Sequence, residues 1–160
     1  MIAVLHNIRS LHNVGSMFRT SDAVGIDKIY LCGYTGAPKD EYGASLPQIF
    51  KTALGAEHTV AWEKKASVTA LLDRLHKEGY KIYAVELDKR SVPLHKIKMS
   101  AKELGKVALV VGNEVDGLSS AVLKRADVIL EIPMYGKKES LNVSVAFGVA
   151  AYALRLSSLR

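Results

Sequence analysis

Apolar and polar positions alternate along the chain in blocks that predict strands and helices in turn. Short apolar runs are typical of buried strands, whereas apolar residues three and four positions apart are typical of helices. Predicted strands lie at 2–5, 28–32, 58–62, 80–87, 107–111 and 127–132. Predicted helices lie at 13–24, 47–54, 67–78, 119–125 and 142–158.

This alternation predicts an α/β fold, with a mostly parallel sheet covered by helices on both faces. Segments 33–46 and 88–103 fit neither pattern and are predicted as connections. Ligands of such sheets bind beyond the carboxyl ends of the strands. Polar loops occupy that position at 6–19, 87–90, 112–117 and 132–142.

The last predicted helix is apolar almost all round. Such a helix is expected to be buried, either in the core or against another subunit. Asn142 suits its N-cap, because the side chain can accept a hydrogen bond from the first turn. The loop before it carries Ser140 and two lysines, which places polar groups beside an apolar wall.

The segment Asn13-Val14-Gly15-Ser16-Met17-Phe18-Arg19 is the first candidate motif. Gly15 allows another backbone to approach the helix, and Arg19 follows four residues later on the same side. A guanidinium in that position suits a phosphate. A capped helix with a solvated arginine fits the same spacing.

The second candidate is Gly112-Asn113-Glu114-Val115-Asp116-Gly117-Leu118, directly after a predicted buried strand. Its two glycines allow a tight loop with N–H groups facing a ligand. Glu114 and Asp116 disfavour a phosphate and fit a positively charged or hydroxyl-rich ligand. An ordinary acidic turn would look the same.

Composition narrows the function classes. The 160 residues favour one domain at 1–160, and the net charge of +6 favours a polyanionic partner, with nucleic acid first. Cys32 is the single cysteine, so no internal disulfide can form and a reducing cytoplasm is expected. We find no signal peptide, no membrane-length apolar run and no metal-ligand spacing among the histidines.

Taken together, the motifs resemble those of the SpoU/TrmH family of SPOUT RNA ribose 2′-O-methyltransferases. The matching residues are N-x-G-x-x-x-R at 13–19, G-N-E-x-x-G-L-S at 112–119, and I-P-M with S-L-N-V-S-V-A at 132–146. Residues 51–57, KTALGAE, resemble a further segment of the family. No separate RNA-binding domain is expected, which leaves the RNA target open.

The resemblance implies a C-terminal deep trefoil knot, although knots are nearly absent from proteins. It implies a homodimer with the site near the interface, an RNA substrate (tRNA or rRNA), and neither a metal nor a membrane. The implied cofactor is S-adenosylmethionine. Its implied binding residues are Leu87, Gly112, Ile132, Met134 and Leu141.

The resemblance also implies that Asn13, Arg19, Glu114, Ser140 and Asn142 line the reaction site. The family's arginine is a candidate base, but a guanidinium pKa above about 12 makes it a poor one. We interpret Arg19 as a phosphate anchor that helps the ribose hydroxyl to ionise. Glu114 would hold its loop or accept a proton, and Ser140 and Asn142 would orient the cofactor and the surroundings of Arg19.

Two other functions remain open at this point. One is a non-catalytic RNA-binding or assembly factor with the same fold, which the complete motifs disfavour. The other is a SPOUT enzyme that methylates a base, which the S-L-N-V-S form of the last motif disfavours.

Overall fold

In a computed structural model that describes residues 1–40 and 42–159, seven strands form one sheet. The strands are β1 Ile2–His6, β2 Lys28–Cys32, β3 Ala61–Lys65, β4 Lys81–Val85, β5 Val92–Pro93, β6 Val107–Val111 and β7 Val128–Glu131. Their order is β3-β2-β1-β6-β4-β7-β5, and every pairing is parallel. The predicted parallel α/β fold is confirmed.

Helices cover both faces of the sheet. They are α1 Leu11–Val24, α2 Pro47–Ala53, α3 Ala56–Thr59, α4 Val68–Lys77, α5 Ala101–Leu104, α6 Ser120–Leu123 and α7 Val143–Ser157. Strand residues alternate between two cores, as the two-residue period of a strand requires. In β1, Ala3 and Leu5 join the core with α1 and α7, whereas Ile2 and Val4 join the core with α4.

Helix α1 begins earlier than the sequence pattern predicts. Ser10 is its N-cap, since the hydroxyl accepts a hydrogen bond from the Asn13 backbone N–H at 3.3 Å. The predicted start at 13 is two residues late, so Asn13 lies in the first turn and its side chain is available for other contacts. Gly15 allows close packing as predicted, because a β-carbon there would collide with the backbone of Ile49 on α2.

Two further predictions were wrong in detail. The segment predicted as a strand at 58–62 begins as helix α3, and the strand follows as β3 at Ala61–Lys65. β3 is an edge strand of largely polar residues, where Glu63 pairs with Lys28 at 2.8 Å. The polar connection at 88–103 contains β5, a 3-10 turn at Leu94–Lys96 and the start of α5.

Helix α7 presents two different faces. Its N-cap is Asn142 as predicted, with Oδ1 accepting from the Ser144 N–H at 2.9 Å. One face is buried and carries Phe147, Ala150, Ala151 and Leu154. The opposite face is also apolar but lies 41 to 55% exposed, and it carries Val145, Val149, Tyr152 and Leu156. Within this chain only one face of α7 is buried, and burial of the other face against another subunit stays a prediction.

Candidate functional site

A cavity of about 280 Å³ opens at the carboxyl ends of β4, β6 and β7. The loops after these three strands form its walls, and the first turn of α7 closes one side through Val143 and Ala146. This is the edge of a parallel sheet at which ligands bind. The five residues predicted to bind a cofactor all line this cavity: Leu87, Gly112, Ile132, Met134 and Leu141.

The loop after β6 is shaped by its glycines and by Asn113. A β-carbon on Gly112 would lie 2.6 Å from the Gly117 carbonyl oxygen, and Gly117 has a positive φ of 64°. The Asn113 side chain is buried, and its Oδ1 accepts from the backbone N–H groups of Val115 and Asp116 at 2.7 and 2.9 Å. The loop is therefore closed tightly against the cavity.

The cavity is strongly acidic. Its described lining residues include no lysine or arginine but five carboxyl side chains: Glu86, Glu114, Asp116, Glu131 and Glu139. An anionic ligand would be repelled here, whereas a cationic ligand would be attracted. The remaining walls are mainly apolar. This arrangement fits a ligand that combines an apolar body with positive charge.

A chain of hydrogen bonds connects the three motifs. Asn142 Nδ2 donates to Asn13 Oδ1 at 3.3 Å, and Asn13 Nδ2 donates to Glu114 Oε1 at 3.1 Å. Glu114 also accepts from the backbone N–H groups of Arg9 at 3.1 Å and Ser10 at 3.2 Å. Residues that are far apart in sequence are thus joined beside the cavity.

The environment of Glu114 keeps its carboxyl group ionised. Partial burial opposes the negative charge, but the hydrogen bonds from Arg9, Asn13 and Ser10 outweigh it and lower the pKa of Glu114. A carboxylate with a lowered pKa is a weaker base. Glu114 is therefore better suited to hold the loop before α1 than to take a proton.

The other two predicted reaction-site residues lie differently. Ser140 is exposed and lines the cavity. Arg19 is exposed on α1 and is absent from the described lining of the cavity. Its neighbour Thr20 lies beside Gly148 of α7.

Sequence reasoning missed Glu86 and did not single out Asn113. Glu86 accepts from the backbone N–H groups of Leu118 at 2.7 Å and Leu87 at 3.0 Å, and so connects the loops after β4 and β6. The only feature of the sequence that pointed to Glu86 was a single carboxyl residue at the end of a mainly apolar strand. Asn113 was inside a recognised motif, but its long-range contacts have no local signature.

The described residues provide neither a metal-binding cluster nor a membrane-spanning helix. Residues 1–40 and 42–159 contain no cluster of three or more His, Cys, Asp or Glu side chains that could hold a metal ion. In the same ranges, no helix is both long enough and apolar enough to cross a membrane.

Solved structures share this fold. An S-adenosylmethionine-bound rRNA methyltransferase from Sinorhizobium meliloti superposes with a TM-score of 0.85 at 26% identity, covering 97% of this chain and 55% of that one. A second solved structure, which concerns the 2-OH methylation of C/U34 on tRNA, superposes with a TM-score of 0.79 at 29% identity. It covers 98% of this chain and 94% of the other.

Sequence comparison leads to the same group of proteins. A 23S rRNA (guanosine(2553)-2′-O)-methyltransferase from Bacillus subtilis is 31% identical over 154 residues, which is 96% of this chain and 57% of the relative. The chain spans 57 to 59% of the length of this and two other curated relatives. The sequence model of the SpoU rRNA Methylase family matches residues 1–152. With that match over nearly its whole length, the chain belongs to the SpoU rRNA Methylase family.

Proposed function

We propose that this protein transfers a methyl group from S-adenosylmethionine to the 2′-hydroxyl of a ribose in tRNA or rRNA. The observation that carries the proposal is the acidic, apolar-walled cavity at the carboxyl edge of the sheet. The relatives named as 2′-O-methyltransferases of rRNA and tRNA support the reaction and the substrate class. The net charge of +6 suits a polyanionic substrate.

The cavity fits the proposed cofactor. S-adenosylmethionine carries positive charge on sulfur and on its amino group, which the carboxylates of the lining complement. Leu87, Ile132 and Leu141 provide apolar contact for the adenine ring, and the backbone of the 112–117 loop offers hydrogen bonds to its edges. ATP and NAD carry phosphates, which the same carboxylates would repel.

When bound, the cofactor supplies an electrophilic methyl group. The residues of this chain align the ribose oxygen with that group and exclude competing water. Asn13 and Asn142 are already fixed by their mutual hydrogen bond and by Glu114, which pre-organises this side of the site. Ser140, on the cavity wall, is the exposed hydroxyl available to orient a ligand.

The role proposed for Arg19 is to anchor a phosphate of the RNA. In residues 1–40 and 42–159, the Arg19 side chain takes part in no hydrogen bond or ion pair, and it is exposed. A guanidinium binds phosphate through two parallel hydrogen bonds. Because Arg19 is exposed and is absent from the described lining of the cavity, it would contact the RNA from outside the cofactor cavity.

A homodimer is part of the proposal. The exposed face of α7 presents Val145, Val149, Tyr152 and Leu156 at spacings of four, three and four residues, which forms one continuous apolar stripe. Such a stripe is unusual on a helix surrounded by solvent. Light scattering at micromolar protein is expected to give twice the chain mass of 17.4 kDa.

The proposed fold includes a trefoil knot formed by the C-terminal segment. Support comes from the position of α7, which contacts α1 on one side and the 3-10 turn and α5 on the other. Ser157 Oγ donates to the Ile97 carbonyl oxygen at 3.0 Å, so the 88–103 connection lies against the end of α7.

A cytoplasmic location is also proposed, consistent with the free, buried thiol of Cys32.

Cofactor binding is tested by calorimetry with a matched pair of variants. The wild type is expected to bind S-adenosylmethionine but neither ATP nor NAD. Gly112→Ala should lose most of this affinity, because its β-carbon would press on the Gly117 carbonyl. Gly136→Ala is the control, since a β-carbon there meets no atom within 4 Å. A folded wild type that binds no S-adenosylmethionine would contradict the proposal.

The reaction is tested with methyl-labelled cofactor on total tRNA and on rRNA fragments. Incorporated label should protect the adjacent phosphodiester bond from alkaline hydrolysis, because 2′-O-methylation removes the attacking hydroxyl. Label without this protection would indicate a base methyltransferase. RNA binding without any incorporated label would indicate a non-catalytic binding or assembly factor.

A further inference from the structure

Beside the cavity, an exposed tyrosine is held in a fixed position. Tyr34 follows β2 and is 57% exposed, yet its hydroxyl accepts a hydrogen bond from Asn113 Nδ2. Asn113 itself lines the cavity. The hydroxyl is thus held by the protein, although more than half of the residue's surface is exposed.

Three loops are interlocked to hold this ring. Asn7 has a left-handed backbone with φ 57°, and its Oδ1 accepts from the Tyr34 N–H at 3.2 Å. The Asn7 carbonyl oxygen in turn accepts from Asn113 Nδ2 at 3.2 Å. Gly33 lies where a β-carbon would collide with the Asn7 side chain, so a larger residue would prevent this arrangement.

Other exposed tyrosines lack this support. Tyr42 is 87% exposed in the same connection, and its hydroxyl makes no hydrogen bond within the described part of the chain. Arg9 is exposed two residues beyond Asn7, and its backbone N–H is held by Glu114.

We infer that Tyr34 is a positioning residue that stacks on an unpaired base of the RNA next to the methylated ribose. This inference rests on the proposed function and adds to it the kind of RNA site that is recognised. An exposed aromatic face stacks on any base, but only bases outside a double helix offer a free face. Asn113 connects Tyr34 to the 112–117 loop of the cavity. A nucleotide stacked on Tyr34 would therefore be presented at the mouth of the cavity.

The kinetic test compares Tyr34→Ala with Tyr42→Ala in methylation of total tRNA and rRNA fragments. Losing one base–aromatic stack is expected to raise KM for the RNA about tenfold. The affinity for S-adenosylmethionine should not change, since Tyr34 does not line the cavity. Tyr42→Ala should behave as wild type.

Tyr34→Phe separates stacking from loop support, because it removes the hydroxyl and keeps the ring. We expect it to retain most of the RNA affinity. If Tyr34→Phe were as impaired as Tyr34→Ala, the tyrosine would act through Asn113 only, and the stacking role would be overturned. An unchanged KM in Tyr34→Ala would overturn it as well.

A fluorescence measurement makes the test independent of catalysis. Tyr34→Trp and Tyr42→Trp both keep the native Trp62, so a difference between them reports on position alone. A short single-stranded RNA should quench Tyr34→Trp more strongly than Tyr42→Trp, and the same strand annealed to its complement should not. Quenching without methylation would support stacking on Tyr34 and contradict the proposed reaction. Methylation by the wild type, with equal quenching of both variants, would support the reaction and overturn the stacking role of Tyr34.

Discussion

Helices α4 and α7 are both rich in apolar residues, but they use them differently. In α4, Val68, Leu71, Leu72 and Leu75 form one stripe, and all four are buried against the sheet. In α7, one apolar face is buried and the other lies in solvent. Helix α4 is explained by the fold of one chain. The second apolar face of α7 is not, and it is the basis of the proposed dimer.

The largest expected effect concerns α4. Leu72 is 0% exposed, so Leu72→Ala removes buried methyl groups and leaves a cavity. We expect the free energy of unfolding to fall by about 3 kcal/mol, measured by urea denaturation. Val149→Ala on the exposed face of α7, at a protein concentration too low for dimers, is the control and should change it by less than about 0.5 kcal/mol. Equal losses would remove the contrast between the two helices.

Arg19→Ala tests whether the exposed guanidinium on α1 contributes to the reaction. Loss of a charged contact made mainly in the transition state is expected to lower the methyl-transfer rate about a hundredfold. Single-turnover methylation of total tRNA measures this, and cofactor affinity should remain unchanged. Arg19→Lys should restore little, because an ammonium cannot form the paired hydrogen bonds of a guanidinium. A fully active Arg19→Ala enzyme would show that Arg19 is an ordinary solvated residue.

Val149→Lys tests the exposed face of α7 directly. A lysine at the centre of an apolar interface would have to lose its hydration, so the dimer should weaken at least about tenfold. Light scattering across a dilution series measures the change. Ala70→Lys, at an exposed position of α4, adds the same charge and should leave the mass unchanged. A monomeric wild type would contradict the interface itself.

The smallest expected effect is electrostatic and lies on the outer surface of α4. Arg125 donates to both carboxylate oxygens of Asp73, at 2.7 and 3.2 Å, and this lowers the pKa of Asp73 below its ordinary 3.8. A lowered folded-state pKa stabilises the protein above the ordinary value, and the gain is lost as the pH falls through the folded value.

Asp73→Asn should therefore destabilise the protein modestly at neutral pH, and the difference should shrink below about pH 4. Urea midpoints measured from pH 7 to pH 3 test this. Glu78→Gln at the end of the same helix is the comparison, because Glu78 makes only a longer single contact with Arg74 at 3.4 Å and should show a smaller difference. A difference that grew on acidification would contradict the sign of the effect.

Sequence patterns predicted the centre of the sheet better than its edges. Val107–Val111 is buried at every position, and an unbroken apolar run identifies such a strand. β3 carries Glu63 and two lysines at the sheet edge, where ion pairs replace apolar packing, so the prediction stopped short of it. Polar edge strands look like loops in a sequence.

The residues that line the cavity could be predicted from the sequence, but the hydrogen bonds between the motifs could not. All five predicted cofactor-binding residues line one cavity, because their loops follow neighbouring parallel strands. That Asn13 would contact both Glu114 and Asn142 had no local signal, since these contacts span 101 and 129 positions. The exposure of one α7 face was equally hidden, because an apolar pattern does not distinguish a core from an interface.

The hydrogen bond between Asn13 and Asn142 has a consequence for biosynthesis. Its partners lie near opposite ends of the chain, and Asn142 stands at the start of the last helix. A nascent chain on the ribosome will have made both glycines of the 112–117 loop before the residues that close the site have emerged. The protein is therefore expected to acquire its ligand-binding capacity only after α7 has emerged, and truncated chains that lack α7 would have none.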